Sequence, residues 1–352
     1  MGKIFRGSLN EQNFDGLDLR GAAFVNVSGI KASFKGADLR GATFRECTFE
    51  EADFREAVMD DVAVENSYFR RADFTEASLN RTAFLGSNLD GAKMVLIAAV
   101  NLALRDVLAR RASLASAVLD KAILRDVDLS YSDLAFASML YVGAEGINLA
   151  GARLPHANLS CASLVNANLR GVMANEAIFV SANLADADAT GGHFMYANFT
   201  EATLSGANFS RTQLQGAQLS GTTLWQTNFS GAVLSGTSIG PEYRAALKRF
   251  LKECPIAGRR GGRIVYRTEF SQHSPEPHHY LPGRTYTAPV FSSDTSSRCH
   301  PGIYAGSLSW MRRLYPGLPI VKCYVRAGDW VLDPAKGAVR CARLRVLERV
   351  EP

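Results

Sequence analysis

Thiols and imidazoles are the side chains of this sequence best suited to hold a metal or attack a substrate, and most of them gather near its end. Cys299, His300, Cys323, Cys341, His278 and His279 offer zinc ligands, but no C-x-x-C pair accompanies them, so no metal site is expected. They read as structural cysteines and surface histidines. Cys299 beside His278 or His279 would be a nucleophile with its base, yet nothing in their spacing brings them together. No catalytic residue is assigned.

Arginine is the firmer signal. Residues 241–352 hold 19 Lys/Arg against 9 Asp/Glu, and Arg outnumbers Lys 15 to 4. "GRRGGR" (258–263), "WMRR" (310–313) and "RCARLR" (340–345) make Arg259, Arg260, Arg263, Arg312, Arg313, Arg340, Arg343 and Arg345 a candidate basic face. Guanidinium forks suit phosphate and carboxylate. Interleaved Tyr266, Tyr280, Tyr286, Trp310 and Trp330 suit nucleotide or nucleic-acid bases. The plainer reading is a solvated face or a contact to an acidic partner.

The elements that must position these residues differ between the two parts of the chain. Of 352 residues, 47% are apolar and 21% charged, as in a folded protein. Residues 1–240 carry 20 Lys/Arg against 25 Asp/Glu, the opposite bias to the rest, so a boundary falls near 240. The longest near-apolar run, "MVLIAAVNLAL" (94–104), is too short to span a bilayer and is broken by Asn101. The start, "MGKIFRGSLNEQ", has no apolar core of a secretion signal, and the scattered cysteines suit a reducing cytoplasm.

Up to residue 240 the sequence repeats every five. From Leu9 to Ile239, 36 of 47 positions at that spacing are Leu or Phe, and two residues upstream 25 of 47 are Ala. A helix would scatter these leucines around its cylinder, and a strand would throw successive ones to opposite faces. The remaining solution is a short extended segment and a corner per repeat, wound into a solenoid that buries one large and one small residue per unit. At Ala99, Ala109 and Ala144 the large residue shrinks while Ile97, Leu102, Val107, Val142 and Ile147 fill the small sites, so volume is exchanged within a layer. A helical excursion over 95–111 is the alternative. Gly29, Ala174 and Ala189 read as thinning or loops. Cys47 and Cys161 are expected in small interior sites, and His156 and His193 outward.

The pattern A-[DN]-[LF]-x-x over about 8–239 resembles the pentapeptide-repeat family. That resemblance implies a right-handed quadrilateral β-helix with four repeats per coil, giving about 12 coils and a rod of ~55 Å at ~4.8 Å per coil. Some members resemble duplex DNA in size and negative charge and bind type II topoisomerases. Acids do cluster at 46–76, ten against three Arg, but from 77 to 240 the balance is 10 basic to 11 acidic, too even for a row of phosphates. "GPEYRAALKRFLKE" after Ile239 reads as an amphipathic helix over 241–254 that caps the last coil, or else dimerises the chain.

The tail, 255–352, is expected to be a small basic α+β domain. Strands are read at 261–270, 284–291, 318–328 and 338–350, and a helix at 307–316. Cys299 to Tyr304, Val321 to Val325, Asp329-Trp330-Val331 and Lys336 to Arg345 resemble a module appended to repeat proteins of bacteriophages and large viruses. "VYRT" (265–268) and "GIYAGSLS" (302–309) are also similar to the NAD-binding half of ADP-ribosyltransferases. That resemblance implies a nucleotide pocket of Arg267, Gly302, Tyr304 and Ser307. The glutamate that such enzymes need is missing from "AKGAVRCARLR".

The expectation is therefore a non-enzymatic recognition protein without cofactor, cytoplasmic and phage-encoded. It would bind a host protein or nucleic acid through the solenoid surface and the basic tail, with no membrane contact. The alternatives are an NAD-binding, ADP-ribosyltransferase-like activity in the tail, or a DNA-mimic inhibitor of a type II topoisomerase.

Overall fold

A computed structural model of the chain describes residues 3–224 and 227–238 of the repeat region. Beyond them it describes 256–257, 262–268, 282, 284–287, 303–305, 311–312, 320–325, 330–333, 338–341 and 343–350. The capping helix expected at 241–254 lies outside these residues.

Most five-residue units turn a corner in the same way, although Cys47 N–H and Ser67 N–H donate instead to Ser67 and Ser87 Oγ one coil on. Leu9 C=O accepts from Gln12 N–H at 3.2 Å, and Glu11 takes a left-handed φ of 57°. A positive φ at the third position of such a hydrogen-bonded turn is the type II signature. Left-handed residues then recur at 31, 51, 56, 61 and onward, filled by Gly, Asn or longer side chains.

Four corners close one coil. Every backbone pairing joins residue i to i+20 in parallel, from Gly7↔Val27 to Gln213↔Val233. On one face the extended segments are long enough to form seven strands, β1 (Ile4–Ser8), β2 (Ala23–Ser28), β3 (Thr43–Arg45), β4 (Ala63–Glu65), β5 (Ala83–Leu85), β6 (Ala103–Leu108) and β7 (Ile123–Asp128), paired in sequence order. The other faces are held by single bridges. This is the right-handed β-helix anticipated from the period.

The interior is a set of stacked columns. Phe24 and Phe44 stack at 4.6 Å between centroids, Phe34 and Phe54 at 4.9 Å, close to the strand spacing. Neighbouring columns meet edge to face, as Phe24 and Phe34 do at 5.8 Å. Hydroxyls at the small positions are satisfied by carbonyls, some across coils, as Ser132 to Ala109 C=O and Thr227 to Leu204 C=O, and some nearby, as Thr212 to Phe209 C=O.

The volume exchange holds. Ala99, Ala109 and Ala144 are buried beside buried Ile97, Leu102, Val107, Val142 and Ile147, and β6 occupies the stretch where a helix was the alternative. Gly29 is an exchange between coils: a Cβ there would fall 2.2 Å from the Phe49 ring. Two readings need correction. Cys161 is exposed at a left-handed corner (φ 59°), because its place in the repeat is the corner and not the small interior site; Cys47 is interior as expected. The core also begins earlier than Leu9. The register slips by one residue between Phe5 and Gly7, so Phe5 stacks on Phe24 at 4.7 Å while Ile4 faces water.

In the tail the described strands are β8 (Ile256–Ala257), β9 (Gly262–Thr268), β10 (Thr285–Thr287), β11 (Ile303–Ala305), β12 (Ile320–Val325), β13 (Trp330–Asp333), β14 (Ala338–Cys341) and β15 (Arg343–Val350). They form an antiparallel sheet in the order β10-β15-β12-β9-β8 and a second, β11-β14-β13. The stretch 338–350, expected as one strand, is two strands in different sheets. Val265, Val321, Cys323, Val325, Leu344 and Val346 are buried.

Candidate functional site

Much of the charge in the acidic stretch 46–76 is paired within the solenoid. Seven of the ten acids in 46–76 have a cationic partner, usually one coil away: Glu51 with Arg71 at 2.8 Å, Glu65 with Arg45 at 3.1 Å, Asp61 with Arg81 at 2.7 Å, Asp73 with Lys93 at 3.4 Å, and Glu50 with Arg70 at 3.6 Å. Glu56 pairs with Lys35, and Asp53 with Arg55 in its own repeat. The acids also occupy all four corners, where a phosphate row would need one.

Side-chain bonds from Arg40, Arg55 and Arg81 hold the Asp38, Asp53 and Asp61 carboxyls below the usual carboxylate range. At Asp90 burial works against the charged form, but bonds from Arg110 outweigh it. At Asp188 burial is likewise overcome, by bonds from Thr190 and Arg170. On a further face, Asp128, Asn148 and Asn168 form a ladder, each amide donating down to the previous coil at 2.9 Å.

What the fold does not spend is a group of apolar rings on the corners. Tyr131, Phe136 and Tyr141 stand on three successive corners of one coil, 67%, 62% and 62% exposed. Leu96 lies two coils below Phe136 on the same corner, and Tyr196 three coils above it, both more than half exposed. All five have left-handed φ between 57° and 60°. Phe136 stacks on His156 of the next coil at 4.8 Å, and His156 Nδ1 lies 3.5 Å from Glu176. The Tyr131 and Tyr196 rings lean over Gly151 and Gly216, where a Cβ would meet them at 2.7 and 2.5 Å.

Two costs meet at these positions. A bulky residue at positive φ is strained by about 1–2 kcal/mol against glycine, and an exposed ring gains nothing from burial. Folding alone would favour Gly or Asn there, as at Gly91 and Asn101. The positive φ is shared by Glu, Lys and Arg at other corners, so what distinguishes these positions is the exposed ring itself.

None of these rings was singled out in the sequence, because corner positions accept every residue type. The signal was present in the 131, 136, 141 spacing and in a glycine twenty residues beyond Tyr131 and Tyr196.

Of the candidate basic face, the side chains of Arg312 and Arg345 are described, and both are exposed. Arg263, Arg340 and Arg343 are placed by backbone on β9, β14 and β15; Arg259, Arg260 and Arg313 lie outside the described residues. Of the candidate nucleotide pocket, Arg267 sits on β9 opposite Val321 and Tyr304 on β11 opposite Arg340, and β11 passes beside β9. Gly302 and Ser307 lie outside the described residues. Among the described residues no cluster could hold a metal ion, and no helix is long and apolar enough to cross a membrane.

Coil, corner and ladder together define a β-solenoid of five-residue repeats with a presentable outer surface. The chain belongs to the pentapeptide-repeat family: eight copies of the family described as Pentapeptide repeats match at 32–69, 67–95, 110–139, 144–173, 177–216 and 212–239. Similar solved structures include HetL, a pentapeptide repeat protein involved in heterocyst differentiation regulation in the cyanobacterium Nostoc sp. strain PCC 7120. It is 22% identical over 66% of this chain and 91% of HetL, at a TM-score of 0.31. Trypsin-treated QnrB1, a plasmid-mediated fluoroquinolone resistance protein, is 18% identical over 73% of this chain and all of its own, at 0.29. The A-module of the Azotobacter vinelandii mannuronan C-5 epimerase AlgE4 is 13% identical over 68% and 88%, at 0.39. No curated protein matches the chain.

Proposed function

We propose that this protein is a non-enzymatic scaffold that recognises another protein through the aromatic corners around Phe136. The carrying observation is the set of exposed rings at Tyr131, Phe136 and Tyr141, held at a backbone conformation that disfavours them. Tyrosine and other aromatic anchors dominate protein interfaces, and the ion-paired acids elsewhere on the rod argue against a mimic of duplex DNA. The tail's likeness to phage modules suggests a host protein met in the cytoplasm, with the basic tail adding contacts to acidic groups.

The test uses the full chain with Tyr131→Asn and Tyr141→Asn combined, since asparagine is at home at these corners. A photo-crosslinking residue at position 136 is expected to capture one host protein, and capture is expected to fall at least tenfold when Tyr131→Asn and Tyr141→Asn are added, with the melting temperature unchanged or raised. Equal capture by both forms would end this reading. Capture lost on nuclease treatment would move the partner to nucleic acid. Calorimetric heat with NAD that vanishes in Arg267→Ala would move the protein to a nucleotide-handling class.

A further inference from the structure

Most cations of the solenoid hold an acid of their own. Arg45, Arg81 and Arg110 pair one coil away with Glu65, Asp61 and Asp90, and Arg20 and Arg40, stacked one above the other, each hold an aspartate of their own repeat. The face that carries the first halves of β6 and β7 departs from this. Arg105 lies directly opposite Arg125 in the strand register, and both are exposed. Like charges so placed repel. Lys121 is a third exposed cation there, and none of the three is ion-paired among the described residues.

The neighbouring acids are turned elsewhere. Asp120 accepts from Ser138 Oγ and Leu140 N–H, and Glu145 leans to within 3.9 Å of where a Gly143 Cβ would stand. Asp106 and Asp126 follow the two arginines round the corner at left-handed φ. Between Lys121 and Arg125 stands Ile123, 58% exposed, with Ala103 below it and Gly143 above. Side chains alternate along an extended segment, so 121, 123 and 125 point outward together while 122 and 124 are buried. The row reads cation, apolar, cation, on a floor of small residues.

We infer that this face binds an acidic, extended peptide segment of a partner protein. The complement of the row is carboxylate, apolar side chain, carboxylate at the same alternate spacing, Glu-x-Leu-x-Glu in an extended chain. Lys121 and Arg125 take the carboxylates, Arg105 adds charge to the same end, and Ile123 meets the apolar residue. A phosphodiester strand would match the charges and offer nothing to Ile123. The site stands on its own face, whether or not the rings around Phe136 dock a protein.

Fluorescence anisotropy of a labelled Glu-Ser-Leu-Ser-Glu-Ser-Leu-Ser-Glu peptide, titrated with the full chain, tests this. Binding is expected to weaken with salt, to fall at least tenfold with Lys in place of Glu, and to fall clearly with Ser in place of Leu. Arg125→Glu turns a repelling pair into an attracting one. Its melting temperature is therefore expected to be equal or higher while affinity for the peptide falls at least tenfold. No binding of the Glu peptide overturns the inference, as does equal binding of the Lys peptide or an affinity unchanged by Arg125→Glu. An oligothymidylate that binds more tightly than the Glu peptide, and is lost in Arg125→Glu, overturns it in favour of nucleic acid. None of these arms alters Tyr131, Phe136 or Tyr141, so failure here and failure of the ring surface are separate results.

Discussion

At the scale of the residue, the solenoid tolerates almost anything at a corner and almost nothing inside. Gly29 shows the inner limit: its missing side chain is filled by Phe49, whose ring also meets Phe24 at 6.0 Å and Phe34 at 5.6 Å. Gly29→Ala is expected to cost about 1–3 kcal/mol through overpacking. The same change made on Phe49→Leu should cost clearly less, which urea denaturation of the four proteins would measure as a coupling. The inner residues were legible in the sequence because a period of five leaves only one way to bury Leu, Phe and Ala. Cys161 was misplaced because its small size suggested an interior site that its position in the repeat does not allow. Phe5 was missed because a one-residue slip precedes the regular register.

At the scale of the element, coils are joined by hydrogen-bonded ladders, and carboxylates are tied to arginines in their own repeat or a neighbouring coil. Asp38, Asp53, Asp90 and Asp188 ionise more easily in the folded chain than unfolded. Below the ordinary carboxylate pKa of about 4 the unfolded chain takes up protons that the folded one refuses, so stability present at neutral pH is lost as the solution is acidified. Thermal melts from pH 7 to pH 2 are expected to fall steeply only below about pH 4. Asp188→Asn should flatten that fall while lowering the neutral-pH melting temperature. In the tail, alternation identified strands near 262–268, 320–325 and 343–350, but pattern alone does not say when a chain changes sheets. For that reason β14 and β15 were read as one.

At the scale of the whole molecule, the solenoid's unit of construction is the coil of twenty residues, since every pairing from Gly7 to Val233 steps by that number. Removal of residues 157–176, one whole coil, is expected to leave a folded and slightly shorter rod, visible as an unchanged far-ultraviolet spectrum and cooperative melt. Removal of five residues, 157–161, keeps the core inside but turns every later surface position by one face. It should therefore preserve folding while separating Tyr141 and His156 from their neighbours above, so that His156 loses Glu176. Loss of a single residue would put the Leu/Phe column into water and is expected to abolish the cooperative transition.

The twenty-residue step has a consequence for how such a surface is written and read. Side chains that touch along an edge, such as Phe136, His156 and Glu176, are far apart in the chain, so a patch is spelled like the teeth of a comb. No short peptide cut from this protein carries it, and an antibody or partner that recognises the edge would fail on every linear fragment. Each edge can also be rewritten tooth by tooth without disturbing the other three, which makes the rod a four-sided page whose margins vary independently of its binding.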